Sequence, residues 1–254
     1  DTVNVFVADT ISPQYTKTPF AAYLNTSSVV VSRANILSNI TGGCTVPTLT
    51  FTSDTVFTCA DVASNPNFIS FTITSGLNVI TDSVAVTVLD TLNPTLSLKS
   101  DTVFLAGSSA SLTFANINNG SVDNCGIDSA TVNGANQISF TCAYLGAQNV
   151  NVVLVDVNGN ATIGSVSVFV ADTTSPTLAL KSDTLILVNG TATLTFANIN
   201  NGSADNCGID SATVNGQNQK IYTCANTGIQ SVLVAIFDAS GNSTAGSINV
   251  FVAD

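Results

Sequence analysis

The sequence repeats itself with a period of 82 residues, and this period limits the possible folds more than any other feature. The twelve letters DNCGIDSATVNG at 123–134 return unchanged at 205–216. Runs that end in VLD or VAD close successive segments at Asp90, Asp172 and Asp254. Self-similarity at a fixed period is typical of chains built from copies of one small folding unit. We therefore expect tandem domains rather than one large core.

The end signals divide the chain into four segments. Residues 1–9 resemble the last strand of a preceding repeat, 10–90 form a divergent first repeat, and 91–172 and 173–254 form the second and third repeats. The second and third repeats align without a gap at about two-thirds identity. Because a closing strand also ends the third repeat, we interpret the chain as part of a longer tandem array.

Within each repeat the pattern is that of short β-strands. Apolar residues alternate with polar ones, and turn signals such as NNG and VNG separate these runs. About seven short strands in some 80 residues are typical of a two-sheet sandwich. We predict three tandem immunoglobulin-like antiparallel β-sandwiches of about 82 residues each, with almost no helix. Phe114, Phe140 and Phe169 are expected in the cores.

Composition excludes several functions. The chain has no His, Met or Trp, and all sixteen acidic residues are Asp, so the usual general bases of enzymes are lacking. Five cations against a net charge of −11 leave no basic patch for nucleic acid. No apolar run is long enough to span a membrane. We predict a non-enzymatic protein that binds no nucleic acid and has no membrane span in this segment.

Six cysteines, two in each repeat, are predicted to form disulfides. The sequence contains no CxxC motif and no His to complete a zinc site, so an oxidising, extracellular compartment is favoured. The two cysteines of each repeat stand 15 to 17 residues apart. Closing a loop of this length stabilises a fold by roughly 3 kcal/mol. The expected pairs are Cys44 with Cys59, Cys125 with Cys142, and Cys207 with Cys224.

Asp and Asn residues near the segment ends have two interpretations. Their oxygens are the ligands that Ca²⁺ prefers, and calcium between domains would stiffen an array. The same residues before Gly are ordinary turn formers, and the first repeat lacks most of them. The sequence leaves both readings open, so the expected cofactor is calcium or none. The candidate ligands are Asp90, Asp123, Asp156, Asn158, Asp172, Asp205 and Asp238.

Several motifs together resemble a known family. They are D-x-x-x-P at the repeat start, DNCGI, FTCA or YTCA, a Val-rich strand ending in D-x-x-G-N, and a closing S-V-x-V-x-V-x-D. The combination resembles the HYR-like, immunoglobulin-like tandem repeats of large Bacteroidota surface adhesins, including gliding-motility adhesins. Many such repeats carry a further cysteine in the last strand, where this chain has Ile163, Gly164 and Ser165. The resemblance implies an extracellular stalk or filament protein.

The resemblance also draws attention to glycosylation. Ten of the sixteen Asp are followed by Ser or Thr and then by an aliphatic residue or Thr, which resembles the O-glycosylation signal of Bacteroidota. The alternative is that Asp-Thr-Val is a favourable strand entry in a Thr-rich β protein. The candidate acceptors are Thr55, Ser83, Thr102, Ser129, Thr184 and Ser211.

Two non-enzymatic functions are compatible with these features. The first is a structural or adhesive array on a bacterial surface, whose partners are the repeats of the same chain and identical chains in a filament. The second is a module that binds a surface glycan or protein through loops at one end of a sandwich. For the second, the divergent first repeat offers Tyr15, Lys17 and Arg33.

Overall fold

Alternating apolar and polar residues form β-strands from Gln14 to Ala253 in the computed structural model, which describes residues 2–254. Residues 228–238, for example, bury every second side chain from Val232 onward, as the two-residue period of a strand requires. Strands hold 55% of the residues and helices 8%, which confirms the predicted all-β class. No α-helix in the described chain is longer than four residues.

The strands fall into three similar series. The first series is Gln14–Lys17 (β1), Phe20–Tyr23 (β2), Ser28–Val30 (β3), Leu37–Thr41 (β4), Thr48–Phe51 (β5), Val56–Thr58 (β6), Asn67–Ser75 (β7) and Asn78–Leu89 (β8). The second is Thr102–Phe104 (β9), Ser109–Thr113 (β10), Ile127–Val132 (β11), Gln137–Thr141 (β12), Gly146–Asp156 (β13) and Ala161–Ala171 (β14). The third is Thr184–Ile186 (β15), Thr191–Thr195 (β16), Ile209–Val214 (β17), Gln219–Thr223 (β18), Gly228–Asp238 (β19) and Ser243–Ala253 (β20).

Short helices recur at equivalent places in the three series. The four-residue α-helices are Arg33–Ile36 (α1), Phe114–Ile117 (α2) and Phe196–Ile199 (α3). Each follows a Ser or Thr whose side chain and backbone contact an Asn three residues later, which caps the first turn. Single 3₁₀ turns span Cys59–Asp61, Cys142–Tyr144 and Cys224–Asn226.

Each repeat contains one four-stranded sheet with the same strand arrangement. The orders are β2-β8-β7-β5, β9-β14-β13-β11 and β15-β20-β19-β17. The facing strands form two-stranded sheets, β1-β4 and β3-β6 in the first repeat, β10-β12 in the second and β16-β18 in the third. One edge pair in each repeat is parallel, as in β15 with β20, where the sequence predicted antiparallel strands only.

The cores are built from the inward faces of the long strands. In the third repeat Val232, Val234 and Ile236 of β19 are completely buried. In the second repeat Phe140 is buried as predicted and Phe114 is half-buried, but Phe169 is 52% exposed. That prediction was wrong because Val168 and Val170 occupy the inward positions of β14, and the residue between them must face outward.

Residues 2–9 form no strand in the structure. Val3, Val5, Phe6 and Val7 are all at least 79% exposed. An isolated extended segment has no ladder of backbone hydrogen bonds, so alternation alone does not make it a strand. The assignment of residues 1–9 to a preceding repeat stays a prediction, and Asp1 lies outside the described residues.

Two compact units can be distinguished in the chain. The first comprises 1–97, 119–130 and 153–164, and the second comprises 98–118, 131–152 and 165–254. The first unit contains the boundary predicted at residue 90, and the second contains the boundary predicted at residue 172. The boundaries of the individual repeats remain predictions. Each predicted boundary between repeats therefore lies inside one compact unit, the boundary at residue 90 in the first unit and that at residue 172 in the second.

Tyr222 provides a test of the core packing. Its side chain is 2% exposed, its hydroxyl has no hydrogen-bond partner among the described residues, and burial raises the pKa of Tyr222. Phe140 occupies the equivalent position in the second repeat. Because a buried hydroxyl without a partner destabilises a fold, Tyr222→Phe is expected to raise the free energy of unfolding by about 1 kcal/mol. Differential scanning calorimetry measures the change.

The matched control is Phe140→Tyr, which introduces the same hydroxyl into the second repeat. It is expected to lower the free energy of unfolding by roughly 1–3 kcal/mol. A Tyr222→Phe variant that unfolds at a lower temperature than the parent would show that the hydroxyl is stabilising.

Candidate functional site

Two disulfides link neighbouring repeats. Cys59 of the first repeat is bonded to Cys125, with Cα atoms 5.3 Å apart. Cys142 is bonded in the same way to Cys207 of the third repeat, again with a Cα separation of 5.3 Å. The bonded cysteines are 66 and 65 residues apart in the sequence. Each bond lies within one compact unit, at the place where one repeat follows another.

These bonds correct the predicted pairing within repeats. In the third repeat Cys207 lies two residues before Ile209, which pairs with Asp238 at the end of β19. Cys224 instead precedes Gly228, where β19 begins. A strand of eleven residues is about 33 Å long, whereas bonded cysteines need Cα atoms within about 7 Å. Closeness in sequence was therefore the wrong criterion, because β17 and β18 carry the chain from one end of β19 to the other.

Cys44 and Cys224 are free and exposed. The pairs predicted for them, Cys44 with Cys59 and Cys207 with Cys224, are both absent because Cys59 and Cys207 are bonded elsewhere. The predicted pair of Cys125 with Cys142 is absent for the same reason.

An acidic triad lies beside the first disulfide. One carboxylate oxygen from each of Asp90, Asp123 and Asp156 lies within 4.8 Å of the other two. Asp90 directly follows β8, Asp123 lies two residues before Cys125, and Asp156 ends β13. The triad thus joins the end of the first repeat to two loops of the second. We call this group, with the Cys59–Cys125 bond, the first junction site.

Local hydrogen bonds hold each carboxylate of this triad in place. Oδ1 of Asp90 accepts from the backbone N–H of Leu92 at 3.2 Å, which is an Asx turn. Oδ2 of Asp123 accepts from the N–H of Cys125 at 2.8 Å. Both oxygens of Asp156 accept from Asn160, from its backbone N–H and from its side-chain Nδ2, each at 2.8 Å. The turn chemistry expected from the sequence therefore exists, but it uses only some of the oxygens.

The second junction site repeats this arrangement. It contains the Cys142–Cys207 bond and the triad of Asp172, Asp205 and Asp238, whose carboxylate oxygens also lie within 4.8 Å of one another. Oδ2 of Asp205 accepts from the N–H of Cys207 at 2.8 Å, as Asp123 does for Cys125.

Each junction site contains buried oxygens without a hydrogen-bond partner among the described residues. Asp90 is 92% buried and Asp172 is 96% buried, since they are 8% and 4% exposed. The Oδ2 atoms of Asp90 and Asp172 accept no hydrogen bond among the described residues. Buried polar atoms are normally satisfied by protein groups, ordered water or an ion, so these oxygens are available as ligands. The remaining orphaned oxygens of the two sites are Oδ1 of Asp123, Asn124, Asn158, Asp205 and Asn206.

The charges of the triads are not neutralised by protein groups. Two unit charges 4.8 Å apart repel by about 3 kcal/mol at an effective dielectric constant of about 20. Among residues 2–254 the one ion pair joins Lys17 to Asp82, which belongs to neither triad. The acidic groups of each site therefore have no cationic side chain beside them among the described residues.

Asn124 and Asn206 belong to the sites, although they were not predicted as ligands. Nδ2 of Asn124 donates to Oδ1 of Asp90 at 3.2 Å, and Nδ2 of Asn206 donates to Oδ1 of Asp172 at 3.0 Å. Asn206 also donates to the carbonyl oxygen of Gly107 at 2.7 Å. The sequence did contain a signal for these two residues, because the triplet DNC is unchanged between 123–125 and 205–207. In it the Asn stands between the acidic residue and the cysteine of each site.

Asn158, which was predicted as a ligand, lies at the first site and has no Asn counterpart at the second. Its backbone N–H donates to Oδ1 of Asp156 at 2.8 Å, and its own Oδ1 is buried without a partner. The third repeat has Ser240 at this place, and Ser240 is exposed. The first site therefore offers one more side-chain oxygen than the second.

The divergent first repeat has only part of this arrangement. Asp9 stands where Asp90 and Asp172 stand, but Gly42 and Gly43 replace the Asp-Asn pair and Ser75 ends β7. Oδ2 of Asp9 accepts from the N–H of Cys44 at 2.7 Å, so one carboxylate takes over the role that Asp123 has elsewhere. A Cβ on Gly43 would collide with the Asp9 carboxylate. No acidic triad forms there among the described residues.

The candidate glycosylation acceptors differ in accessibility. Thr102, Ser129, Thr184 and Ser211 are exposed, while Thr55 and Ser83 are half-buried. Thr102 and Thr184 line equivalent surface depressions of about 550 and 460 Å³. Their walls include the exposed rings of Phe169 and Phe251. Glycosylation of these residues stays a prediction.

The residues proposed for a binding surface in the first repeat are largely engaged with their own repeat. The Tyr15 hydroxyl donates to Asp82, and Lys17 forms an ion pair with the same carboxylate at 2.9 Å. The hydrogen bond to Asp82 raises the pKa of Tyr15 to about 12, and the same bond and Lys17 lower the pKa of Asp82 to about 2. The Tyr15 ring also packs edge-on against Phe71. Arg33 is exposed.

A scan against protein families and a search of curated proteins each found no match. Among solved structures, the chain is similar to protocadherin gamma B7 extracellular cadherin domains 1–4, at 10% identity over 96% of this chain and 67% of that chain, with a TM-score of 0.32. It is also similar to the human desmocollin-1 ectodomain, at 13% identity over 96% of this chain and 59% of that chain, with a TM-score of 0.29.

A third similar structure is Sidekick-1 immunoglobulin domains 1–4, at 13% identity over 97% of this chain and 75% of that chain, with a TM-score of 0.27. Because all three TM-scores are low, the fold class rests on the sheet topology of the chain itself. The resemblance to HYR-like repeats of Bacteroidota adhesins stays a prediction. In the described residues, no helix is both long enough and apolar enough to cross a membrane.

The disulfide pattern can be tested directly. Peptide mapping without reduction is expected to recover a Cys59–Cys125 peptide and a Cys142–Cys207 peptide. Replacing Cys59 and Cys125 together by Ser should lower the free energy of unfolding by about 4 kcal/mol, because the bond closes a loop of 66 residues. The measurement is denaturant unfolding followed by fluorescence or circular dichroism.

Cys44→Ser is the matched control, because Cys44 is exposed and unbonded. It should leave the unfolding curve unchanged. Recovery of a Cys44–Cys59 or Cys125–Cys142 peptide from the native protein would contradict the observed pattern.

Proposed function

We propose that this chain is part of a non-enzymatic, extracellular repeat array with a structural or adhesive role, and that calcium and disulfides together fix each repeat to the next. The observation that carries this proposal is that both junction sites combine an inter-repeat disulfide with an acidic triad. Disulfides persist in oxidising compartments, which supports an extracellular location.

The donor sets suit calcium. Ca²⁺ binds six to eight oxygens at about 2.3–2.6 Å, so two oxygens on one ion are at most about 5 Å apart. The three carboxylate oxygens of each triad lie within 4.8 Å of one another and meet this condition. Asn158 and the orphaned amide oxygens of Asn124 and Asn206 add neutral donors of the same chemistry. Magnesium would require a stricter octahedral set and usually keeps several waters.

The residues of the first junction site would hold the cation at the repeat boundary. Asp90 directly follows the last strand of the first repeat, while Asp123 and Asp156 belong to the second repeat. A bound cation neutralises these carboxylates, so the end of one repeat and two loops of the next no longer repel each other. Asp172, Asp205 and Asp238 are arranged to do the same at the second boundary.

The connecting segments are also held firmly. Pro94 and Pro176, which follow the boundary Asp residues, are both buried. The hydroxyl of Thr162 donates to the carbonyl oxygen of Pro94 at 2.6 Å, and Thr244 donates to Pro176 at 2.5 Å. Proline fixes one backbone dihedral angle, and its burial removes the freedom of an ordinary linker. These contacts limit bending at each boundary, as an extended array requires.

A bacterial surface stalk or filament is the specific form that we propose for this array. The sequence motifs that resemble HYR-like adhesin repeats support this form. Repeated domains in series would also make the protein long enough to extend away from a cell surface. The engagement of Tyr15 and Lys17 by Asp82 gives the alternative, a ligand-binding module in the first repeat, less support.

Calcium titration tests the proposal. Isothermal titration calorimetry of the chain is expected to show two calcium ions per molecule, since the first repeat lacks a triad. Asp123→Asn should remove one binding event and Asp205→Asn the other. At a calcium concentration 100 times the dissociation constant, each site should add about 2.7 kcal/mol to the free energy of unfolding.

Asp54→Asn provides the matched control, because Asp54 is exposed and lies outside both triads. It should bind calcium as the parent does. Equal binding by the parent and by the Asp123→Asn, Asp205→Asn double variant would refute the assignment of these sites.

A further inference from the structure

The turns at the two junction sites have the same backbone arrangement. At the first site, the N–H of Asn158 donates to Oδ1 of Asp156 at 2.8 Å. At the second, the N–H of Ser240 donates to Oδ1 of Asp238 at 2.9 Å. In both turns the aspartate N–H also donates to the carbonyl oxygen four residues later, at 3.0 Å. The two turns therefore differ in their side chains and not in their hydrogen-bonded backbone.

The first site has one more buried oxygen without a partner than the second. Among the described residues, four such oxygens lie at the first site and three at the second. The additional atom is Oδ1 of Asn158, whereas Ser240 at the equivalent position is exposed. Each triad contains three Asp residues, so the formal charges of the two triads are equal. The two sites are thus distinguished by one neutral oxygen, of a type that Ca²⁺ takes as a ligand.

At the second site, the position equivalent to Asn158 adjoins open surface. Ser240 and Asp172 line a surface depression of about 390 Å³. The serine oxygen is attached to Cβ, one bond closer to the backbone than the amide oxygen of asparagine. A water molecule would therefore have to supply the ligand that Asn158 supplies at the first site. Holding that water costs entropy that a side chain fixed by the fold has already lost.

A firmer amide bridge acts in the opposite direction and favours the second site. Nδ2 of Asn206 donates to Asp172 at 3.0 Å and to a carbonyl oxygen at 2.7 Å. The corresponding bond from Asn124 to Asp90 is longer, at 3.2 Å. Both sites make this bridge, however, and a small difference in one shared hydrogen bond changes affinity less than the presence or absence of a ligand. The additional oxygen at the first site therefore decides the order.

We infer that the first junction site binds calcium more tightly than the second, by roughly tenfold, and that Asn158 determines the difference. This inference rests on the calcium function proposed above. At calcium concentrations between the two dissociation constants, the ion would fix the boundary predicted at residue 90 while most molecules have no ion at the boundary predicted at residue 172. The array would then stiffen in two steps as the calcium concentration rises.

A site-resolved titration measures this order directly. In NMR spectra, the amide of Gly126 reports on the first site because its N–H donates to Asp123 at 3.1 Å, and Gly208 has the equivalent position at the second site. As calcium is added to the parent chain, the Gly126 signal is expected to change at a roughly tenfold lower concentration than the Gly208 signal. Calorimetry under the same conditions should show two binding events with the same ratio of dissociation constants.

Exchanging the two side chains tests the role assigned to Asn158. Asn158→Ser should weaken the first site roughly tenfold, and Ser240→Asn should strengthen the second site by a similar factor. The double variant should reverse the order in which the two glycine signals change. Asn136→Ser is the matched control and should bind calcium as the parent does, because Asn136 is exposed and lies outside both junction sites.

The outcomes separate the affinity order from the calcium function. Equal affinities in a parent that binds two ions, a tighter second site, or exchanges that leave both affinities unchanged would overturn this inference and leave the calcium sites in place. A parent that binds no calcium would refute both. Misfolding cannot imitate the gain expected from Ser240→Asn, and each variant should unfold at the temperature of the parent when a chelator is present.

Discussion

The bond between Cys59 and Cys125, with its copy between Cys142 and Cys207, is the interaction on which the rest of this structure depends. A disulfide within a repeat would stabilise one sandwich and leave its neighbours independent. A disulfide across the boundary closes a loop of about 66 residues and makes each boundary part of a compact unit. The buried prolines and the Thr162 hydrogen bond then fix a connection that the covalent bond already restrains.

The covalent restraint also explains how three carboxylates can remain close together. Without a cation, the carboxylates of Asp90, Asp123 and Asp156 repel one another, and a flexible boundary would move apart. The neighbouring disulfide limits that movement, and backbone N–H groups stabilise part of the charge on Asp123 and Asp156. A divalent cation of the kind that we propose would therefore not have to supply the ordering of the loops when it binds.

The sequence predicted the members of the junction sites better than their arrangement. Asp90, Asp123 and Asp156 were candidates because Asp near a repeat boundary supplies calcium ligands, and the structure brings these three together. The cysteine pairing was wrong because separation along the chain was used in place of separation in space. Cys207 and Cys224 are close in sequence, yet β17 and β18 lead from one end of β19 to the other. Phe169 failed for a simpler reason, since it lies on the same outward face of β14 as Ser165 and Ser167, while Val168 and Val170 face the core.

The sequence by itself determined three properties of this protein. The all-β class follows from the alternation of apolar and polar residues, the three-fold repetition from the 82-residue period, and the presence of disulfides from the cysteine content. The tertiary structure alone decided which cysteines bond and which carboxylate oxygens lack a partner. These properties depend on distances between residues some 30 to 100 positions apart. Such distances are set by the register of the strands within each sheet. When two repeats are nearly identical in sequence, the sequence does not show whether a residue contacts its own repeat or the neighbouring one.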